Sequence, residues 1–145
     1  MTETLEDTPD HVRIRRNWAQ AASAGEIVGR IFYTRLFEIA PSSRAMFGED
    51  IEDQARKLLQ TLNWIIDHLD QPETLKPAAE SLAIRHVGYG VVADDYPAVG
   101  EALIDTLAKG LGDDFTAEDA AAWGRVYTTL SGIMTSAAYP EPAAN

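Results

Sequence analysis

The sequence predicts an all-α domain, and three observations lead to this class. Apolar residues recur every three or four positions in six segments, the period of a helix with one buried face. Proline or glycine stands between these segments, where helices commonly begin and end. No segment alternates apolar and polar residues for long enough to indicate a strand.

The first two helices flank Gly25. The first is predicted over about residues 10–23, directly after Pro9. The second runs through GEIVGRIFYTRLFEI, where the apolar residues at helical spacing are Ile27, Ile31, Leu36 and Phe37. Pro41 ends this helix, because the residue before a proline is pushed out of helical geometry. The following PSSRAMFGED is predicted to form a short corner.

The third helix is predicted from about Ile51 to Leu69, and the fourth from about Glu73 to His86, with Pro72 between them. The third has the clearest apolar stripe, formed by Ile51, Ala55, Leu58, Leu62, Ile65, Ile66 and Leu69. One face of the fourth carries Leu75, Ala79, Leu82 and His86. His86 is therefore expected to point into the core.

A fifth helix passes through VGEALIDTLAKGL, with Pro97 in its first turn, and the last helix ends at Pro140. Thr116 is a candidate N-cap for the last helix, followed three residues later by Asp119. We expect a single domain over residues 1–145, with flexible ends at residues 1–9 and 140–145. Six helices fit either a plain bundle or an arrangement that crosses at about 50° around a pocket.

Charge and composition exclude several classes of function. The formal net charge is −11, so the surface should repel the phosphate backbone of nucleic acids. The chain has no cysteine, which excludes disulfides and thiolate-held metal centres. No apolar run is long enough for a membrane span, and the polar start MTETLEDTPD does not resemble a signal peptide. We therefore expect a soluble, cytoplasmic protein.

The three histidines differ in their surroundings. His11 lies among charged residues near the N-terminus, and His68 lies near a helix end, where the helix dipole favours it. His86 continues an apolar face, which fits either a hydrogen-bonded core histidine or a ligand to a metal. Tyr33 lies among apolar residues of the second helix, and Gln54 lies at the edge of the apolar stripe of the third. Together with His86 they suggest a haem pocket, with one axial ligand and two hydrogen-bond donors opposite it.

The sequence resembles the bacterial single-domain globins and the globin domain of flavohaemoglobins. The matching stretches are FYTRLFEIAPSSRAMF, DQARKLLQTL, LAIRHVGYGVVADDYPAVGEAL and AAWGRVYTTLSGIM, from about residue 25 to 135. The blocks FYxxLF…PxxRxxF and RHVGYGV…YPAVG are specific when they occur in this order and spacing. The resemblance implies a globin fold with non-covalently held haem b.

Residue by residue, the resemblance implies roles on both sides of the haem. On the proximal side it implies His86 as the iron ligand, through Nε2, and Tyr96 as the tyrosine that supports it. On the distal side it implies Tyr33 and Gln54 as donors to a bound ligand, with Leu58 as a steric wall. It also implies that Phe47 wedges against the haem plane. Arg85 and Lys57 are candidate partners for the haem propionates.

Two donors opposite the iron predict tight binding of dioxygen, because a hydrogen bond to a charged group contributes roughly 1.5–3 kcal/mol. His68 is not expected to be a second axial ligand, since it lies about 21 Å beyond Gln54 along a helix. The chain departs from its relatives at Ala138, where flavohaemoglobins carry a glutamate that joins the proximal histidine and tyrosine. Without a flavin domain, any turnover would need a separate reductase.

Four functions remain open at this stage. The first is reversible binding of dioxygen, for storage, transport or scavenging, with nitric oxide and carbon monoxide as further ligands. The second is a nitric oxide dioxygenase served by an external reductase, which Tyr33 favours and Ala138 disfavours. The third is a sensor that alters a partner, and the fourth is a helical bundle without cofactor.

Overall fold

A computed structural model describes residues 9–47, 50–88 and 95–138. Over these ranges the chain is all-α, as predicted, and no strand is present. The helices are α1 (Pro9–Ala22), α2 (Glu26–Ile39), α3 (Ile51–Asp67), α4 (Pro72–Gly88), α5 (Asp95–Leu111) and α6 (Ala117–Ala138). Two short 3-10 helices, Pro41–Met46 and Gly112–Asp114, connect α2 to α3 and α5 to α6.

The predicted boundaries agree with the structure to within a few residues. The corner after α2 is the 3-10 helix that begins at Pro41, and α3 ends two residues before Leu69. Pro9 is the first residue of α1, although the sequence placed it in a flexible N-terminus. The predicted end of the last helix at Pro140 lies outside the described residues.

Local residue chemistry fixes several helix ends. Gly25 has a φ of 66°, a left-handed conformation that glycine adopts without strain, and it separates α1 from α2. Asp50 caps α3, since its side chain accepts a hydrogen bond of 2.9 Å from the backbone N–H of Asp53. The predicted cap at Thr116 is confirmed. Thr116 Oγ1 accepts from the N–H of Asp119 at 3.1 Å, and Asp119 accepts from the N–H of Thr116 at 3.0 Å.

Helix α2 lies between α3 and α5, while α4 packs against α6. The main core contains Ile14, Trp18, Phe32, Leu36, Leu103, Leu107 and Trp123. Gly29 lets α2 approach α3 closely, because a Cβ at this position would overlap with Ala55. One prediction for α2 was wrong, because Ile27 is 57% exposed. Leu36 is buried as predicted, and Val28, Phe32 and Tyr33 are the other buried apolar residues of this helix.

A second, smaller cluster joins α4, α5 and α6. It contains Ala79 and Ala83 from α4, Tyr96 from α5 and Met134 from α6. Helices α3 and α4 follow each other in the chain, yet few of their described backbone positions lie close to each other. The fold therefore keeps these two helices apart. No helix in the described ranges is both long enough and apolar enough to span a membrane.

Candidate functional site

His86 lies in the last turn of α4 and is half-buried. Its Nδ1 is 2.8 Å from the carbonyl oxygen of Leu82, one turn earlier. A carbonyl oxygen accepts but does not donate, so Nδ1 carries the proton and Nε2 carries the lone pair. Burial lowers the pKa of His86; the Leu82 hydrogen bond opposes this shift, and the charge of Arg85 adds to it. The result is a neutral imidazole in a fixed orientation.

Tyr96 flanks this histidine from the first turn of α5. The two rings are nearly parallel, with 6.5 Å between their centroids and 26° between their planes. The side chain of Tyr96 is buried in the second cluster, against Ala79, Ala83 and Met134. Ala138 packs against the same cluster. Position 138 therefore contributes a methyl group, and no carboxylate, to the edge of this cluster.

Tyr33 and Gln54 are brought together by the crossing of α2 and α3. The Tyr33 hydroxyl donates to the backbone carbonyl of Gln54 at 3.5 Å, the long limit of a hydrogen bond. Tyr33 is 5% exposed, and burial raises its pKa to about 12. The phenol is therefore a protonated donor held by a weak bond. The close contact between Gly29 and Ala55 fixes the position of Gln54, the neighbour of Ala55, relative to α2.

Phe47 follows the 3-10 helix at Pro41–Met46 and belongs to an aromatic cluster. Its ring meets that of Tyr33 edge-on, with 5.1 Å between centroids, and lies 5.8 Å from that of Phe37. The Arg44 guanidinium lies over the Phe37 ring at 5.4 Å. Phe47 and Leu58 stay half-buried although both are apolar. The structure thus brings Tyr33, Gln54 and Phe47 into one region.

Comparison with known proteins identifies the family. The Globin family model matches residues 30–134, which is well over half of the chain. The chain belongs to the globin family. Of the two arrangements that the helix pattern allowed, the globin fold is therefore the correct one.

Curated relatives of this globin include two flavohemoproteins. Those of Bordetella parapertussis and Deinococcus radiodurans are 32% and 31% identical to it, over 76% and 88% of this chain. The aligned parts cover 28% and 32% of these two relatives, so this chain spans about a third or less of their length.

Solved structures give the same fold. An engineered carbene transferase, derived from a proposed nitric oxide dioxygenase of Rhodothermus marinus, has a TM-score of 0.80 and is 26% identical. The superposition covers 92% of this chain and 93% of that one. A globin of Drosophila melanogaster has a TM-score of 0.78 over 88% of this chain and 92% of that one. At 17% identity, this second match supports the fold alone.

The residues of this globin fit a haem group. A neutral histidine with its lone pair on Nε2 is a suitable nitrogen ligand for iron. A flat apolar macrocycle also needs apolar contacts. Few described backbone positions of α3 lie close to α4, and the half-buried Phe47, Leu58, Leu62 and Leu82 retain apolar surface that a bound group would cover. The nitrogen ligand and the apolar contacts are therefore both present among the described residues.

The two basic candidates lie on the surface. Arg85 and Lys57 are exposed, as a partner for a solvent-facing carboxylate would be. Lys57 Nζ is 3.3 Å from a carboxylate oxygen of Asp53, so a propionate would compete with Asp53 for this charge. The pairing of Arg85 with a propionate stays a prediction.

The sequence analysis missed one residue beside His86 and Tyr96. Tyr127 of α6 donates from its hydroxyl to the carbonyl oxygen of Tyr96 at 2.7 Å. In the sequence Tyr127 reads as one more member of the apolar face of α6. A signal was available in Gly100, a small residue that leaves room for a ring from another helix, but pairing the two requires the fold.

Proposed function

We propose that this globin binds haem b with His86 as the iron ligand, and that it binds dioxygen reversibly and tightly. The observation that carries the proposal is the hydrogen bond from His86 Nδ1 to Leu82, which leaves Nε2 as the ligating atom. Haem would supply an iron centre that binds diatomic molecules. Dioxygen storage or transport is the favoured role, with nitric oxide and carbon monoxide as further ligands.

Tyr33 and Gln54 are the proposed distal donors. A ligand that draws electron density from iron becomes partly negative, so a protonated phenol aimed at it stabilises the bound state. Tyr33 would exchange its 3.5 Å bond to the Gln54 carbonyl for a shorter, charge-assisted one. Because the hydrogen bond to the Gln54 carbonyl is weak, breaking it costs little free energy. The two donors together would slow ligand release and raise affinity.

Apolar side chains would complete the pocket. Phe47 would pack against the haem plane from the aromatic cluster, and Leu58 would limit the space beside the bound ligand. Tyr96 would restrict the rotation of the His86 imidazole from its flank. Arg85 and Lys57 would meet the propionates at the surface.

The first experiment is the visible absorption spectrum of the purified protein after reduction and exposure to dioxygen. We expect a Soret band that shifts reversibly with dioxygen. His86→Ala should lose or strongly alter this band, because the iron loses its ligand. His68→Ala is the matched control, since His68 also lies at the end of a helix and bonds to a carbonyl one turn earlier, here that of Trp64 at 2.7 Å. A protein that takes up no haem, or an unchanged spectrum in His86→Ala, would refute the proposal.

A nitric oxide dioxygenase is the second candidate. The similarity to flavohemoproteins and to the Rhodothermus marinus protein favours it. Conversion of nitric oxide and dioxygen to nitrate requires one electron per turnover, which a separate reductase would supply. Ala138 counts against this role, since the proximal cluster gains no carboxylate from that position.

Nitrate yield separates the two functions. The dioxygen-loaded protein is mixed with nitric oxide, and nitrate is measured with and without an added flavin reductase and NADH. A carrier gives at most one nitrate per haem whether or not the reductase is present. Repeated turnover that depends on the reductase would make the enzyme the better assignment.

A further inference from the structure

We infer that a pocket between α1, α4 and α6 binds a linear aliphatic carboxylate such as octanoate. The pocket has a volume of about 410 Å³, which is within the range of small-molecule sites. None of the residues assigned above to the haem site lines it. Binding at this pocket therefore does not require haem.

The walls of the pocket are aliphatic. They are formed by Leu69, Leu75, Val126, Leu130 and Ile133. Leu69 and Leu75 belong to the main core, while Leu130 and Ile133 pack against the second cluster. The described lining residues include no phenylalanine, tyrosine or tryptophan, so a flat aromatic ligand would find no such ring to stack on. A flexible aliphatic chain would instead remove apolar surface of these side chains from water.

Asp10 and Arg125, at the rim of the pocket, neutralise each other. Arg125 donates two hydrogen bonds of 2.8 Å to Asp10, one to each carboxylate oxygen. These hydrogen bonds lower the pKa of Asp10, so its carboxylate stays ionised and paired. The other titratable side chains of the described lining, His11 and Lys76, are bases. The lining therefore has no unopposed negative charge.

Lys76 gives the rim its positive charge. It is exposed on α4, and its ammonium group forms no ion pair within the described residues. It follows Leu75 directly, so the charge adjoins the aliphatic wall. An ammonium group that is not neutralised attracts an anion and repels an amine. A carboxylate head at Lys76, with its chain along Leu75 and Leu130, would satisfy both parts of the pocket.

Isothermal titration calorimetry tests this binding. Hexanoate, octanoate and decanoate are added to the full-length protein below the concentration at which they form micelles. Carbon monoxide is added to the reduced protein, so that a haem iron is not a competing site. A protein that takes up no haem is titrated as purified, which keeps the result separate from the proposed haem function. Octan-1-ol, with the same chain and no charge, is the ligand control.

We expect the affinity to rise up to about fourfold with each methylene that the pocket buries. Lys76→Gln should weaken octanoate binding about two- to fivefold, the range for an exposed ion pair, and should not change octanol binding. The matched control is Lys109→Gln, since Lys109 is also exposed and forms no ion pair within the described residues, yet does not line this pocket. Equal losses in the two lysine variants, or no preference for octanoate over octanol, would refute the inference.

A second pair of variants tests the location. Thr129→Phe places a ring into the pocket and should weaken octanoate binding more than tenfold. Thr128→Phe is the control, because Thr128 is an equally exposed neighbour that does not line the pocket. Wild-type binding in Thr129→Phe would refute the inference. Binding that appears only after removal of residues 2–8, or a dimer that Thr129→Phe dissociates, would also refute it, because the occupant would then be the start of the chain or a second copy.

Discussion

At the scale of single residues, Tyr33 is the most informative side chain of the distal side. Removing its hydroxyl in Tyr33→Phe should speed dioxygen dissociation about tenfold or more, because one charge-assisted hydrogen bond is lost. Stability should change little, since the bond to the Gln54 carbonyl is long at 3.5 Å. Stopped-flow measurement of the dissociation rate checks this, with the exposed neighbour Thr34→Val as control. An unchanged rate in Tyr33→Phe would mean that the hydroxyl does not reach the ligand.

The protonation state of Tyr33 leads to a second prediction. Burial raises its pKa to about 12, and the protonated form is the donor. The dioxygen dissociation rate should therefore stay constant from about pH 7 to about pH 10, where an ordinary tyrosine is half ionised. Measuring the rate across this range tests the prediction. A rise in rate with a midpoint near pH 10 would show that the donor ionises like an exposed phenol, which contradicts a buried Tyr33 as the donor.

The site residues that could be predicted from the sequence depend on local signals, whereas those that could not depend on long-range contacts. His86 stands out because a titratable group at a core position is rare, and the cap at Thr116 depends on neighbours in the chain. Tyr127 contacts residues 31 and 27 positions away, at Tyr96 and Gly100. Such contacts depend on the angle at which two helices cross. Helical periodicity, which describes each helix alone, contains no information about that angle.

At the scale of the helices, the crossing of α2 and α3 depends on the absence of a side chain. Gly29→Ala would place a Cβ into Ala55, so the helices must separate, at a cost of about 1–3 kcal/mol. Gly132→Ala in α6 is the matched control, because nothing lies within 4 Å of the added Cβ. That change should stabilise the protein by up to about 1 kcal/mol. Urea denaturation measures both, and equal effects of the two substitutions would contradict the close crossing.

The contact of α1 with the start of α6 depends on Asp119, which is fully buried. Burial opposes its ionisation, yet hydrogen bonds from the Thr116 backbone, Arg13 and Asn17 outweigh this and hold the pKa of Asp119 below the usual aspartate value. The folded pKa is thus the lower one. The stabilisation from Asp119 should be complete above the unfolded-state pKa of about 3.9 and should disappear as pH falls through the folded value.

Asp119→Asn should therefore lower the free energy of unfolding by about 2 kcal/mol at neutral pH, since a buried acceptor for charged donors is weakened. The difference from the wild type should shrink in acid, where the wild-type carboxylate is also neutralised. Chemical denaturation at a series of pH values measures this, with the exposed Asp113→Asn as control. A difference that does not change with pH would mean that the charge of Asp119 is not what stabilises this contact.

The end of α2 and the corner at Pro41 could be predicted closely, because proline acts on its own neighbours. The buried face of α2 could not. The apolar spacing allows either Ile27 or Val28 to face inward. Which of the two is buried depends on how α3 and α5 pack against α2. Local signals thus determine where a helix ends, while its rotation is determined by its neighbours.

At the scale of the whole molecule, the helices differ in how firmly they are held. Helix α2 packs between α3 and α5 around large side chains such as Phe32 and Leu36. Helix α4 packs mainly on α6, and few of its described backbone positions lie close to α3. Its buried residues are Leu75 in the main core and Ala79 and Ala83 in the second cluster. Alanine buries little apolar area, so α4 gains less from packing than α2 does.

The helix that carries His86 should therefore be the one that haem stabilises most. In the haem-free protein, backbone amides of α4 should exchange hydrogen for deuterium faster than those of α2, because local opening costs less. Haem bound between α3 and α4 would add the missing contacts and an iron–histidine bond, so the protection of α4 should rise more than that of α2. Mass spectrometry of exchanged peptides measures both states. Equal protection of α4 and α2 without haem would mean that the fold holds the proximal helix without the cofactor.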